Sequence, residues 1–214
     1  MTTPHYGKAA LRSFLSRFRS TLPLLILFVC SVLIGAPAPA QEPAMGMQVP
    51  ATGAQAPNFT LLTPTGHPVS LASETKKGTT VLVVLRGFPG YQCPYCAKQV
   101  HDFVDHAPGF AAKHVNVLLV YPGPPADLDQ HAKEFLAKQA NLPANVIMVT
   151  DPDYKMTNLY NLRWDAPQET AYPSTFILDR RGTVLFEKIS HSHGDRTTAQ
   201  DILDQLPGKT AHGF

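Results

Sequence analysis

The chain has little of several things, and each shortage removes a class. Its 214 residues hold only three cysteines, Cys30, Cys93 and Cys96. That is too few for a disulfide-stapled scaffold. Charged residues make up 16% and apolar residues 44%, with a mean hydropathy of -0.08. This balance excludes disordered, collagenous and multi-span membrane chains and suits one soluble domain plus a smaller extra segment. Basic clusters are also missing beyond the first 40 residues. Lys8, Arg12, Arg17 and Arg19 lie in that leader, which has no acid, and the rest carries a slight excess of acid. A footprint on phosphates needs grouped Lys and Arg, so no nucleic-acid partner is expected.

The basic leader runs into Leu22–Gly35, LPLLILFVCSVLIG, and then Ala38-Pro39-Ala40. A basic start, a short apolar run and a small-x-small site form the pattern of a secretory signal. The run of about 14 residues is short of the roughly 20 that a membrane span needs. Residues 1–40 are therefore expected to be a cleaved signal, with an uncleaved anchor as the alternative and the one route to a membrane. Phe28-Val29 are not the small residues of a lipoprotein site, so Cys30 belongs to the signal. The remaining protein would live in an oxidising compartment outside the cytoplasm.

Residues 41–54, rich in Pro, Ala and Gly, predict a flexible linker. A folded domain is expected over 55–206, with a tail at 207–214. Asn58-FTLL and Val69-SL flank PTGHP as a strand–turn–strand. Thr79-TVLVVL, Val115-NVLLVY and Asn145-VIMVT read as strands, the first two buried on both faces. Helices are predicted after Cys93, over Leu128–Ala140, over Tyr154–Leu162 and over Thr197–Leu206, the last capped by Asp195 or Thr197. Ser174-TFILD and Thr183-VLFEKIS form a hairpin. This alternation means an α/β domain, a mixed sheet flanked by helices.

The chemistry concentrates in Arg86-Gly-Phe-Pro-Gly-Tyr-Gln-Cys93-Pro94-Tyr95-Cys96. The segment follows a buried strand and opens a helix. Cysteines three apart share one face of a first turn, where they can join as a disulfide or part as two thiols. Pro94 at the first helical position loses no useful N–H. The positive helix end favours a thiolate at Cys93, making it the nucleophile and Cys96 the resolving partner. Arg86 is placed to add positive charge. The alternatives are an inert disulfide closing a tiny loop and half of a zinc or copper site. Only four residues separate Cys96 from His101, and such a set on one helix wraps an ion poorly. No metal or other cofactor is expected. His191 and His193 would share one face of a strand end, and Trp164 with Arg163 precedes Pro173 in a loop.

In combination, Gly53-Ala-Gln-Ala-Pro-Asn-Phe-Thr-Leu, the C-x-x-C and Tyr172-Pro-Ser-Thr-Phe-Ile-Leu-Asp-Arg-Arg-Gly resemble the thioredoxin-fold redoxins. The likeness is to the alkyl hydroperoxide reductase C/thiol-specific antioxidant (peroxiredoxin-like) family, over roughly 53–206. It implies a thioredoxin fold with an N-terminal strand extension. It implies a cis Tyr172–Pro173 bond with Pro173 facing the cysteines, a second arginine at Arg196 and a redox-active Cys93–Cys96 disulfide. The implied substrate is a hydroperoxide or a protein disulfide, and the implied partner is an external reductant such as a thioredoxin-like protein. The chain also departs from both parents. A peroxiredoxin carries a Thr or Ser three residues before its reactive cysteine, where this chain has Gly90. A thioredoxin carries Trp just before the first cysteine and an acid six before it, where this chain has Gln92 and Gly87.

Overall fold

A computed structural model of the chain describes residues 48–139 and 141–206. The predicted signal, the first part of the predicted linker and the tail lie outside them.

Seven strands form one mixed sheet in the order β2-β1-β5-β4-β3-β6-β7. Its centre is parallel: β3 (Thr79–Val84) pairs with β4 (Val115–Gly123), and β4 with β5 (Val146–Pro152). The β-branched and leucine-rich runs explain this. Val81, Val83 and Leu85 enter one core with Val100, Phe103 and Ile202, while Leu82 and Val84 enter another with Phe59, Tyr160 and Phe176. A strand buried on both faces has no polar face to alternate. On the other side, β6 (Ser174–Leu178) runs antiparallel to β3 and carries β7 (Val184–Ile189) as a hairpin. The short pair β1 (Thr60–Leu62) and β2 (Pro68–Ser70) closes the far edge.

Four helices bury apolar residues in the first core: α2 (Pro94–Asp105), α3 (Ala107–Ala112), α4 (Leu128–Leu136) and α6 (Ala199–Gln205). The second core is covered by α1 (Leu71–Lys77) and α5 (Lys155–Leu159).

Several boundaries move from the sequence reading. Leu71 opens a helix instead of ending a strand, because the Ser70 hydroxyl accepts from Ser73 N–H as a cap. The α4 helix stops at Leu136, and after Ala137 the N–H groups of Lys138 and Gln139 turn to carbonyls three residues back. The α6 cap is Thr198, in a reciprocal capping box with Asp201, and not Asp195 or Thr197. Within the stretch read as linker, Gly53 N–H donates to the Val184 carbonyl and Val184 N–H to Ala54. These bonds tie its last residues to one end of β7.

Candidate active site

The Cys-x-x-Cys pair sits where the centre of the sheet ends. After β3 the chain crosses the end of β4 at Gly87, whose φ is +73°; a Cβ there would lie 1.9 Å from the Pro122 carbonyl oxygen. Only glycine fits that crossing. Phe88 N–H then donates to the same carbonyl at 2.9 Å, and the Phe88 ring stacks on His131 of α4 with centroids 3.7 Å apart. Gln92 is fixed from two sides: Tyr121 donates its hydroxyl to Gln92 Oε1 at 2.7 Å, and Gln92 Nε2 donates to the His131 carbonyl at 2.9 Å. These contacts deliver Cys93 to the start of α2.

Cys93 is the N-cap of α2 and Pro94 its first residue. The Cys93 sulfur accepts from Cys96 N–H at 3.4 Å. Both cysteines are buried free thiols, 1% and 0% exposed. The two sulfurs differ in acidity. Hydrogen bonding from the Cys96 thiol lowers the Cys93 pKa from 9.0 to about 5, against the cost of burial; the Cys96 N–H, the field of Arg196 and a bond from Arg86 help. Burial, and then the Cys93 sulfur itself, push the Cys96 thiol well above the ordinary value. The opposite shifts favour the thiolate at Cys93 and the thiol at Cys96. That matches the requirement for a nucleophile with a proton-bearing partner one turn away.

Two arginines act on Cys93. Arg86 is 2% exposed. Its Nε donates to Glu169 Oε2 at 2.5 Å, Nη2 to the Gln168 carbonyl at 2.5 Å and Nη1 to the Tyr91 hydroxyl at 2.8 Å. Burial opposes its charge, but Glu169, Tyr91 and Cys93 hold its pKa above the usual arginine value. Arg196 is reached from α2: Nη1 donates to Gln99 Oε1 at 2.9 Å, and Nε to the His193 carbonyl at 2.7 Å. Its Nη2 is buried without a hydrogen-bond partner. Tyr91 and Tyr95, 43% and 48% exposed, flank the cysteines at the surface. A cleft of about 280 Å³ beside them is lined by Tyr95, Lys98, Gln99, Asp102 and Arg196, among others.

Pro173 requires a correction. No peptide bond among the described residues is cis, so the Tyr172–Pro173 bond is trans. The neighbouring backbone is already committed to extended pairing: Tyr172 N–H donates to Leu162 and Ser190 N–H to the Pro173 carbonyl. The chain runs straight from there into β6. Pro173 lines one small cavity with Gln99, Arg196 and Thr197.

Sequence reasoning missed Glu169 altogether and placed His193 beside His191 on one face of a strand end. Instead, His193 Nε2 and Glu169 Oε1 are 2.8 Å apart, while His191 packs against Tyr172. No local pattern marks Glu169, because its partner lies 83 residues away. Trp164, in the loop before Pro173, stacks on Tyr172 and tilts against His193.

A mixed sheet with helices on both faces, and a Cys-x-x-Cys capping the helix after its first parallel strand, defines a thioredoxin-fold thiol oxidoreductase. A sequence profile of the AhpC/TSA family matches residues 52–186, and the chain belongs to that family. It is a thiol-based oxidoreductase. A comparison with curated protein sequences finds no match. Among solved structures, the chain is similar to peroxidoxin BcpB from Mycobacterium tuberculosis, with 20% identity and a TM-score of 0.57, over 73% of this chain and 96% of that one. A peroxiredoxin-like protein from Aquifex aeolicus gives 16% and 0.59, over 75% and 87%. A secreted Mycobacterium tuberculosis disulfide oxidoreductase homologous to E. coli DsbE gives 22% and 0.50, over 69% and 92%. These likenesses establish the fold.

Proposed function

We propose that the chain is an exported, peroxiredoxin-like peroxidase that reduces hydroperoxides through Cys93, with Cys96 as the resolving thiol. The observation that carries this reading is the Cys93 sulfur at a helix N-cap, held as thiolate by Cys96 and by two guanidiniums. The thiolate attacks the terminal peroxide oxygen. An S–O bond forms, the O–O bond breaks, and the leaving alkoxide takes a proton to become an alcohol. The Cys93 sulfenic acid then condenses with the Cys96 thiol, giving a disulfide and water. An external dithiol, such as a thioredoxin-like protein, returns the pair to two thiols by exchange. Export rests on the basic-then-apolar leader of residues 1–40.

Gly90 favours a second reading. It stands where a peroxiredoxin places a hydroxyl, and at φ +108° it offers no side chain to a peroxide. A Cys-x-x-C pair without that hydroxyl also suits thiol–disulfide exchange, with Cys93 attacking a protein disulfide through a mixed intermediate. Assays with hydrogen peroxide plus a dithiol, and with insulin plus a dithiol, separate the two. Peroxide consumption that outpaces insulin reduction supports the peroxidase, and the reverse order overturns it. Cys96→Ser should complete one turnover and then stall with Cys93 as sulfenic acid, visible as trapping by a dimedone probe. Continued cycling at the parent rate would remove Cys96 from the mechanism.

A further inference from the structure

We propose that Glu169 and His193 are positioning residues that tie Arg86 and Arg196 into one unit aimed at the Cys93 sulfur. The chain of contacts is continuous. Glu169 Oε2 takes Arg86 Nε at 2.5 Å, and its other oxygen meets His193 Nε2 at 2.8 Å. The His193 carbonyl takes Arg196 Nε at 2.7 Å. His193 therefore reaches Arg86 through Glu169 with its ring and holds Arg196 directly with its backbone carbonyl. The ring is itself confined, with Tyr95 and Trp164 centroids 6.1 and 5.4 Å away. Arg86 is additionally fixed by the Gln168 carbonyl, adjacent to Glu169, so one loop holds two edges of the guanidinium. A planar fork anchored on two edges keeps its remaining donor direction fixed.

The sign of the charge makes the role testable. A carboxylate near a thiolate disfavours the thiolate. Glu169 can help Cys93 only by what it does to Arg86. The ionisable groups acting on Cys93 are Cys96 one turn into α2, Arg86 after β3 and Arg196 after β7; Tyr121 on β4 is kept neutral by burial. Glu169 and His193 lie behind the two arginines.

This inference rests on Cys93 being the nucleophile, but not on the identity of its oxidant. The test is the pH profile of Cys93 alkylation by iodoacetamide, followed by peptide mapping, in the full chain under reducing conditions. Glu169→Ala should move the midpoint up by about one pH unit, or about tenfold less thiolate below the midpoint. Glu169→Gln keeps an acceptor for Arg86 without the charge, and its midpoint should stay at or below the parent's. His193→Ala should give a smaller upward shift, restored by His193→Gln, whose amide can donate to Glu169. An unchanged or lowered midpoint in both alanine variants overturns the proposal, even if they melt earlier than the parent. If Glu169→Ala does not fold, the His193 pair alone decides on the same terms. A parent midpoint near an ordinary thiol value would instead sink the reading of Cys93 itself.

Discussion

Arg86 and Asp151 are both buried charges at the carboxyl end of the parallel strands, and they are satisfied in opposite ways. Asp151, with no exposure, is closed within six residues: Oδ1 accepts from Met156 N–H, and Oδ2 from both Thr157 N–H and the Thr157 hydroxyl. It starts α5 and has no reach beyond it. Arg86 collects its partners from Tyr91, Gln168 and Glu169, and then still acts on Cys93. A short-range network fixes a helix. A long-range one brings distant segments to a reactive sulfur. Buried charge by itself does not mark chemistry; the direction of the leftover interaction does.

The comparison can be broken at either end. Arg86→Met removes one partner of a buried ion pair and should cost about 3–5 kcal/mol of stability, read by urea denaturation. It should also raise the Cys93 alkylation midpoint. A stability loss with the Cys93 midpoint unchanged would make Arg86 a second Asp151. Asp151→Ala leaves buried donors unpaired and should cost about 3 kcal/mol. The folded fraction should keep the parent's Cys93 midpoint and peroxide rate, and a shifted midpoint would show that the two networks are coupled.

Gly87→Ala tests the crossing that places both Arg86 and Cys93. The positive φ alone costs about 1–2 kcal/mol for an alanine, and the Pro122 carbonyl adds a clash. The loop must then shift, so peroxide turnover should fall together with the melting temperature. Full turnover in a destabilised variant would show that the loop's exact path is irrelevant.

A milder effect concerns pH. The folded Cys93 pKa lies below its ordinary 9.0, near 5. Its contribution to the reduced protein's stability is therefore fully present above about pH 9 and is lost as pH falls through about 5. Cys96 is shifted the other way and stays neutral across that window. The stability gap between reduced parent and Cys93→Ser should widen in the parent's favour from pH 5 to pH 8. A flat gap would mean that the thiolate is not favoured by folding.

Much of the frame was legible because its signals are local. The β-branched runs at Thr79, Val115 and Val146 needed no partner to read as buried strands, and Cys93-Pro94-Tyr95-Cys96 after such a run placed the nucleophile at a helix start. The α3 helix was not legible: Pro108 and Gly109 sit inside Ala107–Ala112, and the burial of Ala107 and Phe110 that fixes it depends on the rest of the fold. The predicted cis bond at Pro173 failed because it came from a family pattern, whereas pairing to Leu162 and Ser190 extends the chain there. Arg86 was visible as a charge beside the motif, and Arg196 only through the family resemblance. Glu169 and His193 were not, since their meaning depends on three loops converging.

The central claim is that two cysteines three residues apart are held in opposite protonation states. Thiolate absorbance at 240 nm tests it directly, titrating the reduced parent against Cys93→Ser and Cys96→Ser. The difference between parent and Cys93→Ser should show one thiolate appearing with a midpoint near pH 5. In Cys93→Ser itself, Cys96 should give no thiolate up to about pH 9, because its burial remains. Two midpoints at ordinary thiol values, or a low midpoint that survives in Cys93→Ser, would contradict the account.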